Sequence, residues 1–349
     1  MELFDSRVSV WDALKNSPQP IVLYGMGDGA DKALAAFARY GITAAGVMAS
    51  DGFVRGQRFH DFRVMTESEA VRRFGDFTVA LCFASQLPDV MAHIRAVASR
   101  HRTLVPSVPV CGDTLFDEDF IRKYSGDMTR ARQLLADSLS RRVFDHVLLF
   151  YYTGELPLLE DITTDKDEAF SLLSLGDNEV YVDLGAYNGD TIDEFLHYSG
   201  GRYRKIVALE PNDKNFEKLR RHCDGMERVT LWQLGAWSEN AILTFNNKAG
   251  RNSAIADEGV PTRVAAVDAL LCGVHAGYIK SDVEGADAEA LLGMKKTLLS
   301  KPKLNLAAYH RFEDIFRLPL LVRHLQPEYR IYLRHHPYIP AWDTNLYCQ

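Results

Sequence analysis

The chain is short of cysteine: five residues in 349, at 82, 111, 223, 272 and 348, an odd total with no C-x-x-C pair. That argues against a disulfide framework or a cysteine-built zinc site and leaves reduced thiols as the simpler reading. Positive charge is in deficit, with 40 Lys and Arg against 47 Asp and Glu and a formal net charge of −7. An acidic balance disfavours nucleic acid or an anionic membrane as the main partner. No apolar run approaches the roughly 20 residues that a spanning helix needs. The opening MELFDSRVSVW lacks the basic flank and apolar stretch of a secretory signal. A cytoplasmic protein is expected. No solenoid-length repeat occurs either, which sets aside the repeat architectures.

What remains is 47% hydrophobic and 25% charged, suited to a globular chain of about two domains. Residues 1–112 alternate apolar runs (Ile21 to Tyr24, Ile42 to Met48, Phe62 to Met65, Phe77 to Phe83) with helical segments, the pattern of a parallel sheet covered by helices. Residues 113–177 read as a helical connector. There Leu134, Leu135, Leu139, Val143, Phe144, Val147 and Leu148 recur at helical spacing, with helices expected at Asp117 to Tyr124 and Thr129 to Tyr152. This segment is too apolar to stay solvated and is expected to pack on the second domain. Residues 178–349 return to strand and helix alternation, and their last two strand candidates, Arg330 to Arg334 and Asn345 to Cys348, are joined only by a loop. Such an ending makes an antiparallel hairpin at one side of a parallel sheet. The expected fold class is α/β, with two Rossmann-like three-layer α/β/α domains.

The informative stretch is EVYVDLGAYNGDTIDEF, Glu179 to Phe195. An apolar strand ends in Asp183, a turn runs through Gly185, Ala186, Tyr187, Asn188 and Gly189, and a helix opens at Asp190. An acid at the strand tip suits an ammonium group, glycine allows tight turning and close backbone approach, and free helix N-terminal amides suit a carboxylate. The next strand ends in Glu210, followed by Pro211 and Asn212. An acid at that tip suits the hydroxyls of a ribose. A third strand ends near Gly235 and Ala236, small residues that give a flat ring access. Amino acid, ribose and purine together describe S-adenosyl-L-methionine. A nicotinamide dinucleotide is the rival, but this turn has three residues between its glycines where G-x-G-x-x-G has one and then two. Ordinary turn chemistry is the bland alternative for the two glycines.

These segments, with IVALEPN, YIKSDVEGADAEALLGMKKTL and NLAAYHRFEDIFRLPLLVRHLQPEYRIYLRHH, resemble the FkbM family of S-adenosylmethionine-dependent methyltransferases. The resemblance covers roughly Asn178 to the C-terminus, and the connector and N-terminal YGMGDGADKAL segment look like longer members. It implies a class I methyltransferase sheet and O-methylation of a sugar, polyketide or other secondary metabolite. The partner is then a small-molecule acceptor, with a sugar or sugar nucleotide among the candidates. Asp287 departs from the glutamate usual in the family, a conservative change.

A hydroxyl acceptor must lose its proton. Asp282 and His310, each expected at a strand tip, are the catalytic candidates, and His310 is the preferred general base because an unperturbed imidazole titrates near neutrality. Asp282 is also a candidate donor contact. No metal is assigned, although Glu284, two residues past Asp282, would share its face on a continuing strand. The simpler reading is that Glu284 starts the next helix. Lys280 and Arg311 are candidate anion contacts or solvated strand-end charges. Arg334, His335 and His336 would form a basic turn or line the acceptor pocket, and Gly250 to Ser253 a polar loop over the site. The glycine loop Gly25 to Gly29 is a second cofactor candidate, weakened because the following strand ends without an acid and Asp51 comes late. A fold retained for docking or acceptor recognition fits it better. A non-catalytic protein that binds a nucleotide or sugar nucleotide is the alternative function.

Overall fold

The computed structural model describes residues 2–245 and 259–349, so the Gly250 to Ser253 loop lies outside the described residues. The first sheet is built from β1 (Ile21–Tyr24), β2 (Ala44–Met48), β3 (Arg58–Phe59), β4 (Phe62–Met65), β5 (Thr78–Leu81) and β6 (Thr103–Leu104) in the order β3-β4-β2-β1-β5-β6. All pairings are parallel except β3 with β4. Every residue of β1 and β5 is buried, as expected of central strands covered on both faces.

The second sheet starts in its own middle. β7 (Val180–Leu184) pairs with β8 (Lys205–Leu209), which pairs with β9 (Val229–Trp232), all parallel. Three strands then leave the sheet: β10 (Gly235–Ala236), β11 (Ala241–Phe245) and β12 (Val260–Ala265) form a separate side sheet. The chain returns on the other flank of β7 with β13 (Tyr278–Ser281) and β14 (Lys303–Ala307), both parallel to it. It ends with β15 (Ile331–His335) at the edge and β16 (Thr344–Cys348), which runs antiparallel between β14 and β15. The expected terminal hairpin is present, with the last strand inserted beside β14. The order β15-β16-β14-β13-β7-β8-β9 reverses direction between β7 and β13, which opens a crevice at the carboxyl ends of those strands.

Between the sheets lie helices Glu118–Leu134 and Ser138–Thr153, the former packed on helix Asp314–Leu325 and the latter on β15. The break falls at 135–137, where Asp137 caps the second helix through the Ser140 amide, and Gly126, near the expected break, sits inside the first helix. No helix among the described residues is long and apolar enough to cross a membrane.

Candidate functional site

The parallel ladder brings Asp183, Gly185, Glu210 and Asp282 to one end of the sheet. The hydrogen bonds continue one residue past each strand: Gly185 N–H donates to the Leu209 carbonyl, Glu210 N–H to Trp232, and Asp282 N–H to Leu184. Gly185 and Gly189 both have positive φ, +82° and +99°. Their missing side chains make room for the protein itself: a Cβ on Gly185 would strike the Asp282 carbonyl, and one on Gly189 would meet the His222 ring. Close approach at Gly189, expected to serve a ligand, therefore serves His222, which also pairs with Asp193 at 3.0 Å.

Asp183 is fully buried. Its Oδ2 accepts from the Thr191 hydroxyl at 2.5 Å, and its Oδ1 has no hydrogen-bond partner among the described residues. Burial pushes the carboxyl up to about 6, against the pull of nearby Lys280 and the Thr191 hydroxyl. Glu210 is also buried, and its carboxylate accepts from the Tyr187 amide at 3.0 Å and the Asn212 amide at 2.8 Å, fixing the loops on both sides of it. Burial raises its pKa, and these two amides oppose the rise. Asn212 turns its side chain back to cap helix Asp213–His222. Gly235 belongs to β10 rather than to the tip of β9, and it still lies against Pro211. Ala236 beside it is buried, as is Ala186 in the first turn, while Tyr187 is exposed with the Lys218 ammonium over its ring.

An ammonium fits the orphaned buried oxygen of Asp183, and ribose hydroxyls fit the remaining lone pairs of Glu210. The expected carboxylate seat at the helix N-terminus is different. The Asp190 amide already donates to Asn188 Oδ1 and the Thr191 amide to Asp190 Oδ1, and Asp190 and Asp193 put negative charge in the first turn.

His310 lies three residues past β14, with 1% of its surface exposed. Its Nε2 faces Asp282 Oδ1 at 3.2 Å and Glu284 Oε2 at 3.6 Å, and its Nδ1 faces Asp287 Oδ2 at 3.4 Å. Burial opposes its charge, but Asp282 and Asp287 outweigh burial and carry the imidazole well above its usual range. An unperturbed imidazole titrating near neutrality is not what the fold provides. Asp282 also accepts from the Tyr309 hydroxyl at 3.1 Å, with Lys280 Nζ 3.7 Å away. Burial would raise Asp282, but Lys280, His310 and Tyr309 hold it well below the usual carboxylate range. Lys280, far from being a solvated charge, is itself largely buried between acids.

Glu284 neither continues β13 nor begins the next helix, which starts at Asp287. It occupies a turn with φ +53°, a left-handed conformation costly for a side-chain-bearing residue. The Cys111 thiol donates to its carbonyl at 3.2 Å, and the Cys111 amide donates to the His310 carbonyl at 2.9 Å. Arg311 reaches the Gly285 carbonyl from the other side. Cys111, Thr191 and Asp314 carry no sequence signal toward this site, because tertiary packing alone brings them here. Among the described residues, no group of three or more His, Cys, Asp and Glu side chains could hold a metal ion.

Arg334, His335 and His336 form neither a basic turn nor a pocket wall. Arg334 is buried and bridges to Asp137 at 2.7 Å. His335 meets Thr344 Oγ1 at 3.0 Å, and His336 lies between the Thr164 carbonyl and the Tyr347 hydroxyl. Burial lowers both imidazoles, His335 to about 3, so they are neutral structural groups. In the N-terminal glycine loop, a Cβ on Gly29 would strike the Cys82 carbonyl and one on Gly25 would crowd Phe83. These glycines also make room for the chain itself.

Residues 183–340 match the methyltransferase FkbM domain. The structure superposes on the methyltransferase FkbM of Methylobacillus flagellatus KT with a TM-score of 0.72 at 20% identity, covering 100% of this chain and 92% of the other. Partial likenesses include the fibrillarin of Aeropyrum pernix, in complex with natively bound S-adenosyl-L-methionine (TM-score 0.35, 12% identity, 53% of this chain and 74% of that one). An rRNA methylase of Streptococcus thermophilus is another (TM-score 0.36, 14% identity, 54% and 97%). No curated protein matches the sequence.

Proposed function

From the premise that this chain belongs to the methyltransferase FkbM family through residues 183–340, we propose that it transfers a methyl group from S-adenosylmethionine to a hydroxyl of a small metabolite such as a sugar or polyketide. The observation that carries the reading is the set of acids at successive strand tips: Asp183 with a buried oxygen left open, Glu210 beside it, and Asp282 held by His310. Asp183 would hold the amino group and Glu210 the ribose, with Pro211, Asn212, Gly235 and Ala236 bordering the purine. The Gly185 to Gly189 turn shapes the wall between them. When bound, the donor supplies a methyl group already activated on a sulfonium.

The protein's own work is then alignment, exclusion of water and removal of one proton from the acceptor. His310 is enclosed and both its ring nitrogens face carboxylates, so it does not take that proton. The half-buried Asp282 carboxylate, held too firmly ionised to keep a proton, accepts the hydroxyl's hydrogen bond and orients it while the proton passes on to solvent, and the charged imidazole keeps Asp282 and Glu284 aimed. Calorimetry with S-adenosylmethionine should show one site on the intact chain. Asp183→Ala and Glu210→Ala should each weaken it at least tenfold, about 1.4 kcal/mol. No heat of binding in the intact protein would remove the proposal.

A further inference from the structure

Behind His310 lies a carboxylate that the reaction itself does not call for. Asp287 is the first residue of helix Asp287–Leu292, a position where an acid ordinarily sits in water and complements the helix dipole. Here it is 1% exposed. One oxygen accepts from the Ser281 hydroxyl at 2.7 Å, a residue of β13 that is itself 1% exposed. The other, Oδ2, faces His310 Nδ1 at 3.4 Å, and neither of these two atoms has another hydrogen-bond partner among the described residues. Two enclosed polar atoms this close satisfy each other only if a proton lies between them.

We infer that Asp287 is a positioning residue: anchored by Ser281, it holds the Nδ1 side of His310 so that the Nε2 side stays turned toward Asp282 and Glu284. The inference rests on the proposed reading of Asp282 and His310 as the acceptor side of the site. The groups around the ring act in different directions. Asp282 and Glu284, from the turn after β13, favour its charge, as does Asp287. Asp314, at the head of helix Asp314–Leu325, lies close enough for His310 to pull its pKa down. Arg311, next in sequence, opposes the charge. The Cys111 amide fixes only the backbone carbonyl.

The test is histidine NMR on the full chain labelled at imidazole carbon, with the His310 resonance assigned by its loss in His310→Gln. In the wild type this resonance should stay at its imidazolium position through neutral pH. Asp287→Asn should bring its titration midpoint down by at least one pH unit, and Asp287→Glu, which keeps the charge, should restore most of it. Ser281→Ala, a smaller change, should shift the midpoint in the same direction by less. A folded Asp287→Asn protein, or a Ser281→Ala protein, with the wild-type midpoint would overturn the inference. Calorimetry with S-adenosylmethionine on the same wild-type sample separates the two ideas. Failure to bind removes the functional reading, while the histidine spectra still decide the role of Asp287.

Discussion

At the scale of single residues, the site is a set of acids whose surroundings push their protonation apart. Asp282 is held ionised by a lysine and a histidine, while Asp314 is 6% exposed and its carboxyl accepts, among the described residues, the Arg311 amide at 2.9 Å. Burial raises Asp314 to about 7, with Asp287 adding to the rise and His310 opposing it. The unfolded chain would release this proton near the ordinary carboxylate value of about 3.9. Between the two values the folded state holds a proton that the unfolded state has lost. Stability from this group is therefore fully present below that ordinary value and declines as pH rises through about 7. Asp314→Asn keeps the shape and cannot ionise. Urea unfolding at pH 5 and pH 8 should show the stability difference moving in the variant's favour by about 2–3 kcal/mol across that interval. Parallel behaviour of the two proteins would mean that Asp314 ionises normally.

At the scale of elements, the connector completes the second sheet. β15 is an edge strand, and edges need their backbone groups covered. The connector does this: the Ala136 amide donates to the Ile331 carbonyl and the Thr164 amide to the His335 carbonyl, both at 2.8 Å, and the Leu333 amide donates to Ser140 Oγ at 2.9 Å. Arg334 locks the join through Asp137, which also caps helix Ser138–Thr153. Asp137→Ala removes the cap and the near carboxylate of a buried guanidinium, which keeps Ser140 Oγ, the Leu333 carbonyl and, at 3.7 Å, Glu168. Because Asp137 is about one-third exposed, a cost of about 2–4 kcal/mol is expected in urea denaturation. The sequence could not show this use of Arg-His-His. Its charge pattern is that of a turn, and only the pairing of β15 with the connector reveals it as a buried seam. The strands themselves were legible, because Val180 to Val182 in β7 and Ile206 to Leu209 in β8 are continuous apolar runs, each followed directly by an acid. The small side sheet was legible only in part. Gly235 and Ala236 read as the end of β9, since nothing local distinguishes a strand's last residues from a two-residue bridge to β12. At the site, acid placement could be read from strand ends. The left-handed turn at Glu284, whose carbonyl is met by the Cys111 thiol from 173 residues away, could not; nor could the imidazole's surroundings, which are carboxylates that packing gathers from separate elements.

At the scale of the molecule, the limits near 112 and 177 separate two sheets without separating their packing. A single apolar core includes Val22, Val79 and Leu81 of the first sheet, Phe144, Val147 and Leu148 of the connector, and Val182, Ile279 and Leu304 of the second. Backbone bonds cross as well: Ser85 and Ile339 exchange amides at 2.8 and 3.0 Å, and Cys111 is tied to His310. The ends of the two sheets that carry their loops therefore face each other, and the turn bearing Glu284 is held partly from the N-terminal side. A chain of 349 residues with two α/β sheets would ordinarily unfold in steps. Shared packing argues for coupling instead, since loosening the first sheet would expose the connector that covers β15. Trp11 offers a local probe, because it is buried against Tyr40 at the far side of the first sheet, in a core cluster separate from the large one. With the other three tryptophans, at 232, 237 and 342, replaced by phenylalanine, its fluorescence reports that region alone. Its urea midpoint should coincide with the far-ultraviolet circular dichroism midpoint of the whole chain. A Trp11 transition that clearly precedes the dichroism change would show that the N-terminal sheet melts by itself, and that its hold on the Glu284 turn is weaker than its contacts imply.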